Sequence, residues 1–186
     1  MLFRDQAAKI VALSNQFCEA DAAGLCIPII YRPSLKFLYK PHDSMDGWMR
    51  TTHDIDLPEA RKVIDTIVTA VLELKKAAVI AVADSHGELI AFARMDGAPL
   101  SSIRIATNKA WTAARERKPT KDIGEKARDP IKGFDIAYFG DPQFVGWGGG
   151  IPIWRNGEVI GSIAVSGLPS QEDIEMAELG ASMITA

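Results

Sequence analysis

Cysteine is scarce, and what there is has no chemical arrangement. Cys18 and Cys26 are the two cysteines in 186 residues. They form no C-x-x-C pair, and no Cys/His cluster has zinc-ligand spacing. Two isolated thiols predict a reduced, cytoplasmic protein. An excess of one charge is missing as well. The formal net charge is −3, which gives no footing for nucleic-acid binding. No apolar run approaches the ~18 residues needed to span a bilayer, so no membrane partner is expected. The opening "MLFRDQAAKI" lacks the basic-then-apolar order of a signal peptide. The G-x-G-x-x-G fingerprint and the P-loop are absent, which argues against nucleotide binding by either. "VSGLPS" is not a G-x-S-x-G elbow, so no serine triad is visible.

What is present is an ordinary globular composition. Apolar residues make up 47% and charged residues 24%, enough for a core within one domain plus an extension. Phe3, Ala7, Ile10, Leu13, Phe17 and Ala20 recur at helical spacing. They predict a helix over 2–23 that stops at Gly24. Residues 25–55 carry three prolines and no sustained period. Short strands are expected there near Ile29–Tyr31 and Lys36–Tyr39. Residues 1–55 thus read as an N-terminal helix and irregular extension, packed on the core or on a partner subunit.

From residue 56 the pattern is regular. "DLPEA" offers an N-cap Asp56, a first-turn Pro58 and Glu59 three residues after the cap. A stripe from Ala60 to Leu74 follows. "AAVIAVADSHGELIAFARMDG" reads as a hairpin turning at Asp84–Gly87, with Ile80 opposite Phe92 and Val82 opposite Ile90. Ile103, Ala106, Ala110, Ala113 and Ala114 then mark a helix between Pro99 and Pro119. Its mostly alanine face suits close approach to the small-residue side of that hairpin. A short helix is expected over 120–128, and loop over 129–150. Asn156-Gly157 is a strong type I′ hairpin signal, because both positions need positive φ. It places Arg155 opposite Glu158, Trp154 opposite Val159 and Ile153 opposite Ile160. Pro152 implies an edge or strand-start position. A last helix opens near Ser170. Helices alternating with hairpins predict an α/β chain of the α+β type: a central antiparallel sheet of about five strands with flanking helices.

Several residues can carry chemistry. Gly148, Gly149 and Gly150 either form a turn entering an edge strand or let a ligand approach the backbone. Lys109 borders the alanine stripe, where it can snorkel to water or reach an anionic group. Arg94 and Asp96 can pair with each other or orient a substrate. His42 and His53 are the candidate metal ligands, whereas His86 sits in a turn.

The stretches "AVADSHGELIAFARMDGAPLSSIRIATNKAWTAA", "GGGIPIWRNGEVIGSIAVSG" and "QEDIEMAELGASMI" together resemble the GlcG/HbpS-like family. That family also takes in the C-terminal domain of PduO-type corrinoid adenosyltransferases. The resemblance covers about residues 56–186. It is carried by Asp84, Gly87 and Leu89; by Arg94, Asp96, Gly97 and Ala98; by Lys109, Ala110 and Thr112; and by Gly149, Gly150, Pro152 and Ile153. It implies profilin-like layering, assembly into homo-oligomers and, in some members, a bound haem or corrinoid. The extension 1–55 and the long aromatic loop "DIAYFGDPQFVGW" depart from the compact members.

Taken together, these features predict a cytoplasmic, homo-oligomeric binding protein for a small planar or anionic ligand, haem or a corrinoid first, in a catabolic setting. Lys109, Thr112 and Arg94 would meet its carboxylates, Phe144 or Trp147 would stack on it, and Gly148–Gly150 would make backbone contacts. The alternative is an enzyme acting on a small organic acid or aromatic catabolite, with Lys109 assisted by Arg94 and Asp96.

Overall fold

The structure is a computed structural model that describes residues 18–20, 26–28 and 52–184. The chain divides into two units, 1–50 and 51–186. In the first, β1 (Cys18–Ala20) pairs antiparallel with β2 (Cys26–Pro28), Cys18 opposite Pro28. The helix expected over 2–23 is therefore corrected at 18–20, where pairing with a nearby strand overrides the local 3.6-residue period. The rest of that helix, Gly24, the strands expected near Ile29–Tyr31 and Lys36–Tyr39, and His42 lie outside the described residues.

In the second unit the order is α1 (Leu57–Glu73), β3 (Val79–Asp84), β4 (Leu89–Arg94), α2 (Ser101–Glu116), α3 (Thr120–Ala127), a 3₁₀ turn (Ile136–Phe139), β5 (Gly150–Arg155), β6 (Glu158–Ser166) and α4 (Ser170–Ser182). The four strands form one antiparallel sheet in the order β4-β3-β6-β5, so the sheet has four strands where about five are expected. β5 is an edge strand, which tolerates Pro152 because that edge makes no ladder.

α1 begins with the capping box: Glu59 N–H donates to Asp56 Oδ1 at 2.8 Å, and the Glu59 carboxylate accepts from Asp56 N–H. Its apolar stripe packs with α4 on one face of the sheet, over Ile80, Val82, Ile163 and Val165. Ile67, Ile80 and Ile163 are fully buried, each contributing roughly 1.5–3 kcal/mol relative to exposure. The other face is small. Ala81, Ala83 and Ala164 meet Ala106 and Ala110 of α2, and Ser162 Oγ donates to the Ala110 carbonyl at 2.7 Å. A methyl-lined stripe brings helix and strand backbones close enough for that bond.

Both hairpins turn where expected but slip in register. Asp84 O accepts from Gly87 N–H, and Gly87 has φ +90°. Asp84 Oδ1 also accepts from Glu88 N–H, which keeps Glu88 in the turn. Ile80 then faces Ala93, Ala81 faces Phe92 and Val82 faces Ala91, with a bulge after Val82. Phe92 accordingly lies on the α2 side of an edge strand, not on the α1 side. In the second hairpin Asn156 and Gly157 both have positive φ, and Trp154 faces Val159. A bulge after Ile153 sets Ile153 opposite Gly161 instead of Ile160. The Ile160 carbonyl is taken by Ile55 N–H at 2.8 Å.

Candidate functional site

Two features meet near the start of β5: a buried ion pair and an aromatic cleft.

Lys109 projects from α2 and is 2% exposed. Its Nζ donates to Asp173 Oδ2 at 2.8 Å and to the Val165 carbonyl at 3.0 Å. Asp173 lies in the first turn of α4, and its Oδ1 accepts from Leu168 N–H at 3.0 Å. The pair thus ties the helix on one face of the sheet to the helix on the other. It does so beside Gly149, which has φ +106°. A Cβ there would sit 2.8 Å from Asp173 Cβ and 3.0 Å from Lys109 Nζ. Burial pushes Lys109 below its ordinary pKa, the Asp173 charge opposing that shift. Burial likewise raises Asp173, against the pull of Lys109. Both groups are buried and bonded to each other, so the pair acts as a sealed structural link. Gly148 and Gly150 are buried as well: a Cβ on the first would overlap Ile174, and one on the second would crowd the Lys109 carbonyl.

Thr112 is fully buried and holds the long loop. Its Oγ1 donates to the Gln143 carbonyl at 3.3 Å and accepts from Val145 N–H at 3.1 Å. Thr120 repeats the device one helix later, donating to the Trp147 carbonyl at 2.6 Å and accepting from Gly150 N–H at 3.0 Å. Between these clamps the loop leans over α2 and α3 and leaves a cleft of about 440 Å³. That volume lies within the range of small-molecule sites, roughly 300–1,000 Å³. Ile105, Phe134, Ile136, Phe144 and Trp147 supply its apolar walls, and Arg128 and Asp135 its charge. Phe144 is fixed by stacking on Phe139 at 4.2 Å and by an edge contact with Trp111 at 5.0 Å. Trp147 is 61% exposed. Arg128 donates to the Gly146 carbonyl at 3.2 Å and has no carboxylate partner within 4 Å among the described residues. Arg115, another nearby cation, lies over the Trp111 ring and pairs with Glu88.

Phe144 and Trp147 are thus brought together, while Lys109 and Gly149 are adjacent but filled in by Asp173. Arg94 and Asp96 are exposed, make no ion pair with each other, and line a separate groove with Val68 and Leu72 of α1. His53 is exposed, its Nδ1 3.8 Å from Glu158. Arg155 pairs with Glu59 at 2.6 Å and not with the facing Glu158. Among the described residues no group of three or more His, Cys, Asp or Glu could hold a metal ion. Asp173, Arg128, Phe134 and Ile136 carry no signal that singles them out in the sequence. Asp173 resembles any first-turn acid, and Arg128 a solvated helix end.

An antiparallel sheet layered between helices, with an aromatic cleft beside one edge strand, makes residues 52–184 a small α+β domain. The chain belongs to the HbpS-like family: the family model "Haem degrading protein HbpS-like" matches residues 55–182. An uncharacterized 15.0 kDa protein encoded between dhaT and dhaS in Citrobacter freundii is 32% identical over 124 residues, 67% of this chain and 87% of that protein. Protein GlcG of Escherichia coli is 37% identical over 87 residues, 47% of this chain and 62% of GlcG. The crystal structure of a PduOC:heme complex superposes with a TM-score of 0.66 at 25% identity, over 70% of this chain and 95% of that one.

Proposed function

We propose that this protein binds a tetrapyrrole in the cleft between α2, α3 and the 129–149 loop: haem first, a planar ring with two carboxylates, and a corrinoid second. The observation that carries the reading is the pairing of fixed aromatic walls with a cation, Arg128, that lacks an acidic partner among the described residues. A flat apolar ring gains by burial against Phe134, Phe144 and Trp147. A carboxylate gains a charge-assisted bond to a guanidinium that has only a backbone carbonyl to give up. PduOC, a structural relative, crystallises as a complex with heme, and that supports the ligand class. The cleft fits the organic ring and its carboxylates. It offers no customary iron ligand among the described residues, so no chemistry is derived through the iron. Lys109, Arg94 and Asp96, the residues of an enzymatic alternative, are not gathered at one place, and that alternative gains no support.

The setting we propose is a cytoplasmic homo-oligomer, accessory to a catabolic pathway, in which residues 1–50 contribute to assembly. Titration of the purified chain with haemin and with cobalamin, read by absorbance, tests the ligand. A haemin Soret shift that Trp147→Ala weakens is expected. A chain that leaves both spectra unchanged would refute the reading.

A further inference from the structure

The cleft has walls for a macrocycle and a cation for its carboxylates, but nothing among its lining residues suited to its metal. Haem iron in proteins is held by His, Cys, Met or Tyr. None of these lines the cleft. The lining side chain with a ligating oxygen is Asp135, and Asp135 Oδ1 already accepts from Ala137 N–H at 2.9 Å, capping the 3₁₀ turn. The described histidines are engaged elsewhere: His53 stands beside Glu158, and His86 Nδ1 lies 3.3 Å from Ser85 Oγ in the β3–β4 turn. By contrast the loop backbone and Phe144, which meet the organic part, are held in place. Thr112 and Thr120 clamp the wall loop from two helices. Gly124 packs so closely under Gly146 that a Cβ there would overlap the Gly146 carbonyl. That contact sets the floor, and it holds the carbonyl on which Arg128 rests.

We infer that recognition in this cleft is metal-independent: the protein reads ring shape and carboxylates, and a metal-free porphyrin dicarboxylate binds as well as its iron complex. This rests on the reading that the cleft is the tetrapyrrole site. Such a protein suits carrying or presenting a tetrapyrrole before metal insertion or after metal removal, since it gains nothing from the iron.

The test is a pair of titrations of the full chain, with protoporphyrin IX and with haemin, read by tryptophan fluorescence quenching and by the ligand's own absorbance. Expected are dissociation constants within about threefold of each other, and a loss of about tenfold for both ligands in Arg128→Ala, in line with one charge-assisted bond. If haemin binds and protoporphyrin IX binds more than about thirtyfold weaker, the inference fails. The binding reading then stands, with an iron ligand supplied from outside the cleft. If neither ligand binds, the reading itself fails and takes the inference with it. Arg128→Lys, which keeps the charge and loses the bidentate fork, should fall between wild type and Arg128→Ala for both ligands. Equal affinity of all three proteins would show that Arg128 does not read the carboxylates.

Discussion

Lys109 and Asp173 show how one residue can be visible in a sequence while its purpose is not. A lysine on an alanine stripe stands out, because a buried ammonium needs a reason. Its partner does not stand out, because acids are common in the first turn of any helix. The pairing is long-range, from α2 to α4, and no local pattern carries it. Its energetics can be predicted. Lys109→Met leaves the Asp173 carboxylate buried without its counter-charge and should cost about 3–5 kcal/mol at neutral pH. Asp173 is already raised by burial, so its folded pKa lies above its unfolded one. A group of that kind favours the fold below its ordinary value of 3.8 and loses that contribution as pH climbs through the folded pKa. The Lys109→Met deficit should therefore shrink on acidification, as Asp173 takes up a proton. Urea denaturation of both proteins at neutral and mildly acidic pH measures this, and a deficit that stays constant or grows on acidification would contradict it. Replacing both partners, Lys109→Met with Asp173→Leu, should recover much of the loss. Gly149→Ala meets positive φ and a crowded Cβ together, and should cost more than about 2 kcal/mol by the same assay.

The elements that hold together through local chemistry are legible in the sequence. The Asp56 capping box, the Asn156-Gly157 turn and the alanine stripe of α2 each state a backbone requirement in a few adjacent residues. Register is less legible. Each hairpin carries a bulge, and near each lies a contact that strand alternation does not encode: Glu88 N–H on Asp84 Oδ1 in the first, and Ile160 O accepting from Ile55 in the second. The loop 129–149 is the least legible, since its shape depends on two threonines in other elements. Thr120→Val removes an acceptor from the buried Gly150 N–H and a donor from the Trp147 carbonyl, so a loss of about 1–3 kcal/mol is expected. Hydrogen exchange should place the added mobility at 143–150. Uniform loss of protection across the sheet would mean that Thr120 serves the core and not the loop.

At the scale of the whole molecule, the domain is a sheet with two unlike faces. One is packed with branched residues under α1 and α4, the other thinned to alanine so that α2 can approach. α2 is thereby brought beside the edge strand, where it offers Lys109 inward to Asp173 and Ile105 outward to the cleft. Lys109, which its sequence context leaves free to reach water or an anion, is paired with Asp173 in the fold, and the cation we propose for the ligand is the less conspicuous Arg128. Because Ile55 is buried against the sheet, a chain starting at residue 51 should keep the thermal transition of this unit, whereas one starting at 57 should lose stability. If residues 1–50 serve assembly, the first truncation should also lower the oligomeric mass by light scattering. The most direct measurement is haemin affinity in two single variants compared with wild type. Arg128→Ala should weaken binding about tenfold, as the loss of one charge-assisted bond requires, while Arg94→Ala should leave it unchanged. Loss of affinity in Arg94→Ala with Arg128→Ala unaffected would move the site to the α1 groove and contradict the cleft.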